Sequence, residues 1–284
     1  AKHLRDCDTS ESASIAHRLA DLHDAFRDPS IQALICIRGG WNVNQLLDDI
    51  DYGLIKRNPK ILCGYSDITA LGNAIYAKTG LVTYSGPNFA VFACDDLPEY
   101  TSRAFEAAVM QSSPIDVRPS RRWTDEVFSP GKPRHFRNNS GWWPVNGGTA
   151  KGTILGGNLC TLSLLQGTQY MPKAKDVILL VEDDHETHPR TFDRDLTSLT
   201  QQPWFGSVRG VLFGRFQTTA VNTRFGPVTK KHLLGTIANN RHLRGLPVIA
   251  NVDFGHTQPM LTLPIGGTLR MHAGAQSRIE ILEH

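Results

Sequence analysis

A serine hydroxyl is inert at neutral pH until a base takes its proton, and the base works best when a third group holds its tautomer. Ser66, Glu182 and His256 have the residue types and settings for such a line. Ser66 stands in Ile61-Leu62-Cys63-Gly64-Tyr65-Ser66-Asp67-Ile68-Thr69, where an apolar run passes through a Gly-x-Ser-Asp turn into a helical pattern. Gly64 permits a sharp reversal, and a helix starting near Asp67 would aim its free N–H groups and positive dipole end at oxygen near the serine. Glu182 follows the apolar run Val177 to Val181, and open α/β sheets collect functional groups at the carboxyl ends of strands. His256 lies between Gly255 and Pro259 just after another strand-like run, Val248-Ile249-Ala250.

Each residue also has a plainer reading. Ser66 could be only a helix N-cap, and the usual nucleophile elbow has a second glycine where this chain has Ile68. Glu182 could be a strand-end ion-pair partner, and His256 a hydrogen-bonded loop histidine. Gly39-Gly40 could lend a backbone N–H to an oxyanion, with the amide of Asp67 as second donor, or could simply turn the chain. The cluster Glu182-Asp183-Asp184-His185-Glu186-Thr187-His188 is rich in metal-type ligands but is not H-E-x-x-H. A metal-dependent hydrolase using His185 and His188 is therefore an alternative, and a non-catalytic binding protein another. The stretch Gly147 to Thr153 fails the P-loop pattern, because its lysine precedes the glycine.

The elements that must position these groups can be read from apolar periodicity. Ile15, Leu19, Leu22 and Phe26 predict a helix that stops at Asp28-Pro29. Ala33 to Ile37 predicts a parallel strand, followed by a helical stretch to about Ile50 and a strand at Ile61 to Cys63. Leu71, Ala74 and Ile75 continue the helix after Ser66, and Gly80 is a fitting left-handed stop before Leu81 to Tyr84. This alternation predicts an α/β fold with a parallel sheet. Between about Gln111 and Gly148 the pattern dissolves into Pro, Gly, Arg and Trp, which predicts a crossing between domains. Strands at Val177 and Val208, helices through Leu196 and near Leu233, and short C-terminal strands then form a mixed α/β second half.

A chain of 284 residues with 40% hydrophobic content buries a large core in one big or two medium domains. A net charge of +3 from scattered basic residues argues against nucleic-acid binding. No apolar run reaches the ~18 residues of a membrane helix. The five cysteines, Cys7, Cys36, Cys63, Cys94 and Cys160, include no C-x-x-C and suit reduced core residues of a cytoplasmic protein.

Several motifs, taken in order, resemble the LD-carboxypeptidase serine peptidases, a family that includes the microcin C self-immunity proteins. They are Arg38-Gly39-Gly40-Trp41-Asn42-Val43-Asn44, Gly64-Tyr65-Ser66-Asp67, Ala77-Lys78-Thr79-Gly80, Gly86-Pro87, Lys151-Gly152 with Gly156-Gly157-Asn158-Leu159, Leu180-Val181-Glu182-Asp183, and Gly255-His256-Thr257 with Pro259 to Gly266. The resemblance implies a triad of Ser66, His256 and Glu182, with oxyanion donors at Gly39 or Gly40 and Asp67. It implies an N-terminal domain over 1–115 with the serine, a crossing over 116–148, and a C-terminal domain over 149–284 with Glu and His. The site would lie between the two, in a homodimer that uses no metal or cofactor.

The substrate it implies is either a murein tetrapeptide, cut at its L,D-amide, or a peptidyl-nucleotide, cut at the amide of an acidic residue. Asn42 and Asn44 resemble the immunity branch, and Asn158 falls in a motif matched to substrate contacts. Pro130 stands about where that branch places a stacking tryptophan, leaving Trp142 or Trp143 to substitute. Relative to the family, the segment at Ala1 to Asp8 looks shortened by about one β-α-β portion.

Overall fold

The computed structural model describes residues 2–3, 12–221 and 223–284, so Cys7 and most of the segment from Ala1 to Asp8 lie outside it. The chain opens with α1 (Ile15–Arg27), whose N-terminus is capped by the Ser14 hydroxyl and whose Phe26 is fully buried. β1 (Ala33–Ile35) follows. The helical stretch expected to reach Ile50 is only a 3-10 turn at Val43–Leu46. The α-helix comes later, at α2 (Tyr52–Arg57), because the Asp51 carboxylate caps it by accepting from the Leu54 amide at 2.8 Å.

β2 (Ile61–Gly64), α3 (Ile68–Thr79) and β3 (Thr83–Ser85) match the reading around Ser66, with Gly80 left-handed at φ 75° as the helix stop. β1, β2 and β3 are parallel neighbours. The short α4 (Phe89–Phe92) and α5 (Glu99–Met110) then lead away from this sheet.

The stretch from 111 to 148, which looked patternless, holds four short strands. β4 (Ile115–Val117) and β7 (Trp143–Asn146) become the two edges of a large sheet, while β5 (Arg122–Trp123) and β6 (Arg137–Asn138) pair with each other. Strands this short carry too few residues for a period-two pattern to register. β8 (Gly148–Asn158) begins inside the glycine-rich run that weakly suggested phosphate binding, and there its backbone groups are spent on sheet pairing.

Next come α6 (Leu159–Ser163), β9 (Val177–Glu182), α7 (Pro189–Thr200), β10 (Val208–Gly214), α8 (Lys230–Asn239) and β11 (Val248–Val252). β12 (Leu263–Ile265), β13 (Thr268–Ala273) and β14 (Arg278–Glu283) end the chain. The large sheet has the order β4-β14-β13-β8-β9-β10-β11-β7, with β8 to β11 parallel. Every residue of β9 is buried, as a central strand flanked by parallel neighbours requires. β12 leaves this half and pairs antiparallel with β3, completing the small sheet β1-β2-β3-β12.

The two sheets are locked together by α3. β8 parts from β13 near Ile154, and the backbone of Gly156 finds its partner in a side chain. The Asn73 carbonyl oxygen accepts from the Gly156 N–H at 3.1 Å, while its amide donates to the Gly156 carbonyl at 3.0 Å. Thr69 accepts from the Asn158 amide at 3.1 Å, and a Cβ at Gly157 would lie 2.7 Å from the Thr69 hydroxyl. Asn73→Ala leaves these fully buried backbone groups unpaired, and is expected to lower unfolding free energy by about 2–3 kcal/mol. Urea denaturation measures this, and an unchanged midpoint would contradict the docking role.

Candidate functional site

The carboxyl ends of both parallel sheets face one cleft. At the small sheet, β2 ends at Gly64, where a Cβ would sit 3.0 Å from Cys36 Cβ and 3.1 Å from Ile68 Cγ1, so the turn into α3 needs glycine. Ser66 then takes φ 64°, a left-handed conformation that residues other than glycine rarely adopt. Its carbonyl accepts from the Thr69 amide at 2.9 Å, which starts the helix. The loop after β1 presses on the serine from the other side, since a Cβ at Gly39 would lie 2.7 Å from Ser66 Cβ.

Asp67, read from sequence only for its amide, clamps that loop with its side chain. Its Oδ2 accepts from the Asn42 and Val43 amides at 3.0 and 2.9 Å. Burial raises its pKa, and those two bonds work in the opposite direction. The amides of Gly39, Gly40 and Asp67 have no protein acceptor among the described residues.

At the large sheet, Glu182 is the last residue of β9 and 2% exposed. His256 arrives on the loop after β11. Its Nδ1 lies 2.7 Å from Glu182 Oε2, and its Nε2 lies 3.1 Å from Ser66 Oγ. A carboxylate only accepts, so Nδ1–H donates to Glu182, and Nε2 is left to accept from the serine hydroxyl. The approach requires Gly255, at φ 96°, where a Cβ would stand 2.5 Å from Glu182 Oε2. The Tyr65 ring meets the imidazole edge-on at 5.0 Å.

Burial pushes the His256 pKa down, but the charge and hydrogen bond of Glu182 outweigh it, and the net shift is upward. Asp183 is pushed up to about 7 by burial and by the neighbouring Glu182. It accepts from the Thr187 hydroxyl at 2.8 Å, the Asp184 amide at 3.1 Å and the Asn158 side chain at 3.2 Å. The histidine loop is anchored by Asp253, which is fully buried and accepts from Ser120 and from Arg215. It is tied also to Thr124, whose amide donates to the Gln258 carbonyl at 2.7 Å. Sequence reasoning missed Asp253 and Arg215; a charged residue inside the apolar run Asn251 to Phe254 was the available signal.

A cleft of about 510 Å³ is lined by Ser66, His256, Gly39, Gly40 and Trp41, among others. The residues expected to touch substrate do not gather there. The Asn42 side chain is bound to Arg18 and Ser12, and the Asn158 side chain caps α6 and donates to Asp183. Trp142 packs against the core, and Trp143 lines a neighbouring cavity of about 440 Å³. Gln217 lines both cavities. His185 faces the cleft while His188 begins α7, and among the described residues no three His, Cys, Asp or Glu side chains converge as metal ligands. Of the cysteines, Cys63 is buried as expected, but Cys160 is exposed on α6 and Cys94 lines the cleft.

An α/β chain with a serine, an imidazole and a carboxylate in one hydrogen-bonded line is built for serine-type hydrolysis. Comparison with known proteins gives that class a family. Residues 1–86 match the LD-carboxypeptidase N-terminal domain, and residues 151–271 match the LD-carboxypeptidase C-terminal domain. YocD of Bacillus subtilis is 47% identical over 286 residues, covering 100% of this chain and 86% of YocD. The crystal structure of an MccF-like protein from Bacillus anthracis has a TM-score of 0.95 and 45% identity, covering 100% of this chain and 86% of that one. MccF, the microcin C7 self-immunity protein of Escherichia coli, in complex with aspartyl sulfamoyl adenosine, has a TM-score of 0.85 and 29% identity over 99% of this chain and 84% of its own. The chain belongs to the LD-carboxypeptidase family and is a serine-type carboxypeptidase. No helix among the described residues is long and apolar enough to cross a membrane.

If His256 must be neutral to act, its raised pKa puts the acidic limb of kcat/KM above the ordinary histidine value of about 6.5. Glu182→Gln removes the group that raises it, and should move that limb to lower pH while reducing kcat by orders of magnitude. A pH–rate profile checks both, and a limb that stays in place in the variant would separate Glu182 from the titration.

Proposed function

We propose that this protein hydrolyses an amide bond, with Ser66 as nucleophile, His256 as general base and Glu182 as the group that orients the imidazole and stabilises its charged form. Ser66 Oγ attacks the amide carbonyl as its proton passes to His256 Nε2. The tetrahedral oxyanion is held by the amides of Asp67 and of Gly39 or Gly40. The imidazolium then protonates the leaving nitrogen, the C–N bond breaks, and an acyl-serine remains. Water, deprotonated by His256, attacks that ester, and Ser66 recovers its proton as the acid product leaves. The observation that carries this reading is the continuous line from Glu182 through His256 to Ser66, at 2.7 and 3.1 Å, beside three amides with no protein acceptor among the described residues. One oxyanion donor is typically worth ~3 kcal/mol of transition-state stabilisation.

For substrate we read a short peptide with a free terminal carboxylate, of the murein tetrapeptide kind, cut at its last amide. A peptidyl-nucleotide is the second reading, favoured by the neighbouring cavity, which shares Gln217 with the Ser66 cleft and holds the Trp143 indole with Lys230 4.3 Å over its ring. Domains at 1–115 and 149–284, joined by a crossing at 116–148, suit a site assembled from two sheets. A cytoplasmic homodimer fits the free cysteines and the exposed Phe89, whose apolar surface a second copy would cover. Sedimentation velocity checks the dimer, and a monomer at micromolar concentration would refute it.

Turnover of an L,D-tetrapeptide and of aspartyl sulfamoyl adenosine should be compared side by side, with and without chelator. Ser66→Ala is expected to lose about 10⁴-fold or more in kcat on whichever is cleaved, and chelator to have no effect. Near-normal turnover by Ser66→Ala would refute the nucleophile, and cleavage of the nucleotide conjugate alone would refute the peptide reading.

A further inference from the structure

A carboxypeptidase must tell a chain end from a chain middle, and the chemical difference is one carboxylate beside the scissile amide. Such a group is read most strongly by a guanidinium, whose forked donors match its two oxygens. Two arginines line the Ser66 cleft, Arg38 and Arg134. Arg134 is already spent, with its side chain 5% exposed and its Nε and Nη2 paired with both oxygens of Asp96. The cleft carboxylates are engaged as well. Asp125 pairs with Arg137 and accepts from Thr218, and Glu126 accepts from the His135 amide at 2.8 Å. His185 also lines the cleft, but an imidazole is not a permanent cation.

Arg38 is different. It is exposed, and it makes no hydrogen bond or ion pair within the described residues. It directly precedes Gly39, where a Cβ would lie 2.7 Å from Ser66 Cβ, so its backbone is one residue from a loop position packed against the nucleophile. Its charge also reaches Tyr65, opposing the rise that burial imposes on that phenol. A guanidinium on the wall of the same cleft as Ser66, unpaired among the described residues, is poised for an anion of the substrate.

Building on the amide-hydrolase reading above, we propose that Arg38 is the specificity residue of the cleft, binding the anionic group on the leaving portion of the substrate. In a peptide that group is the terminal carboxylate; in a peptidyl-nucleotide it is the acidic link to the nucleoside. Arg38 takes no part in bond making, so its removal should act on anionic substrates and spare a neutral one.

The test measures binding in the Ser66→Ala background by calorimetry, which is independent of turnover. The probes are a short peptide ending in L-Lys-D-Ala, its C-terminal carboxamide, and aspartyl sulfamoyl adenosine. Adding Arg38→Gln is expected to weaken the free-acid peptide about 100-fold and the carboxamide less than about 3-fold, with Arg38→Lys recovering part of the loss. Loss confined to the sulfamoyl conjugate would support the same residue with the nucleotide link as its anion. Equal loss on acid and carboxamide, no loss on any of the three probes, or no binding of any probe would overturn the proposal. Turnover by the enzyme with Ser66 intact separately tests the hydrolase reading, and its failure would leave the binding comparison standing.

Discussion

Ser66 stands at the end of one sheet, and its two hydrogen-bonded partners stand at the ends of strands in another. The line from Glu182 to Ser66 therefore exists only while the two sheets keep their relative position to a fraction of an ångström. The helix that begins at the serine carries this constraint. Through Asn73 and Thr69 it supplies the hydrogen bonds that β8 needs where β13 turns away, and Gly157 lets the contact close. β12 adds a second tie by crossing from the large half of the molecule to pair with β3. A surface loop could not hold such a register; a helix seated on a strand can.

The electrostatics of the site follow from the same packing. Glu182 and Asp183 are adjacent carboxylates, both nearly inaccessible to water, and burying two negative charges side by side is costly. The cost is met in different ways. Glu182 faces His256, whose pKa rises in response, so the imidazole is readied to accept a proton. Asp183 turns to Asn158, Thr187 and the Asp184 amide, and burial together with the Glu182 charge pushes its pKa up, which favours the neutral form and eases the repulsion. Asp253 solves the problem a third way, with the buried guanidinium of Arg215. That pair holds the histidine loop from beneath.

Much of the fold was legible because long apolar runs and clear caps leave few alternatives. The β2-turn-α3 segment, β9, β10 and β11 all fall where periodicity placed them. What escaped was short or long-range. β4 to β7 have only two to four residues each, and they form because a neighbouring strand is present, not because of an internal pattern. A 3-10 turn at Val43–Leu46 takes the place of a full helix, its first amides held by the distant Asp67 carboxylate. Asn42, Asn158 and Trp142 illustrate the same limit at the site. Their positions in motifs suggested substrate contact, yet their side chains face structural partners or the core.

By itself the sequence determined an α/β chain with a strand-turn-helix at Ser66, a carboxylate at the end of a buried strand, and a histidine in a glycine-bounded loop, because each of these depends on neighbours within about ten residues. It could also rank those three groups together through the family they resemble. Only the tertiary structure decided that the residues, 190 positions apart at the extremes, lie within hydrogen-bond reach in the order Glu, His, Ser. It also decided which nearby polar groups are engaged and which, among the described residues, are not. Both outcomes depend on how α3 packs against β8, a contact between distant segments that no local pattern encodes.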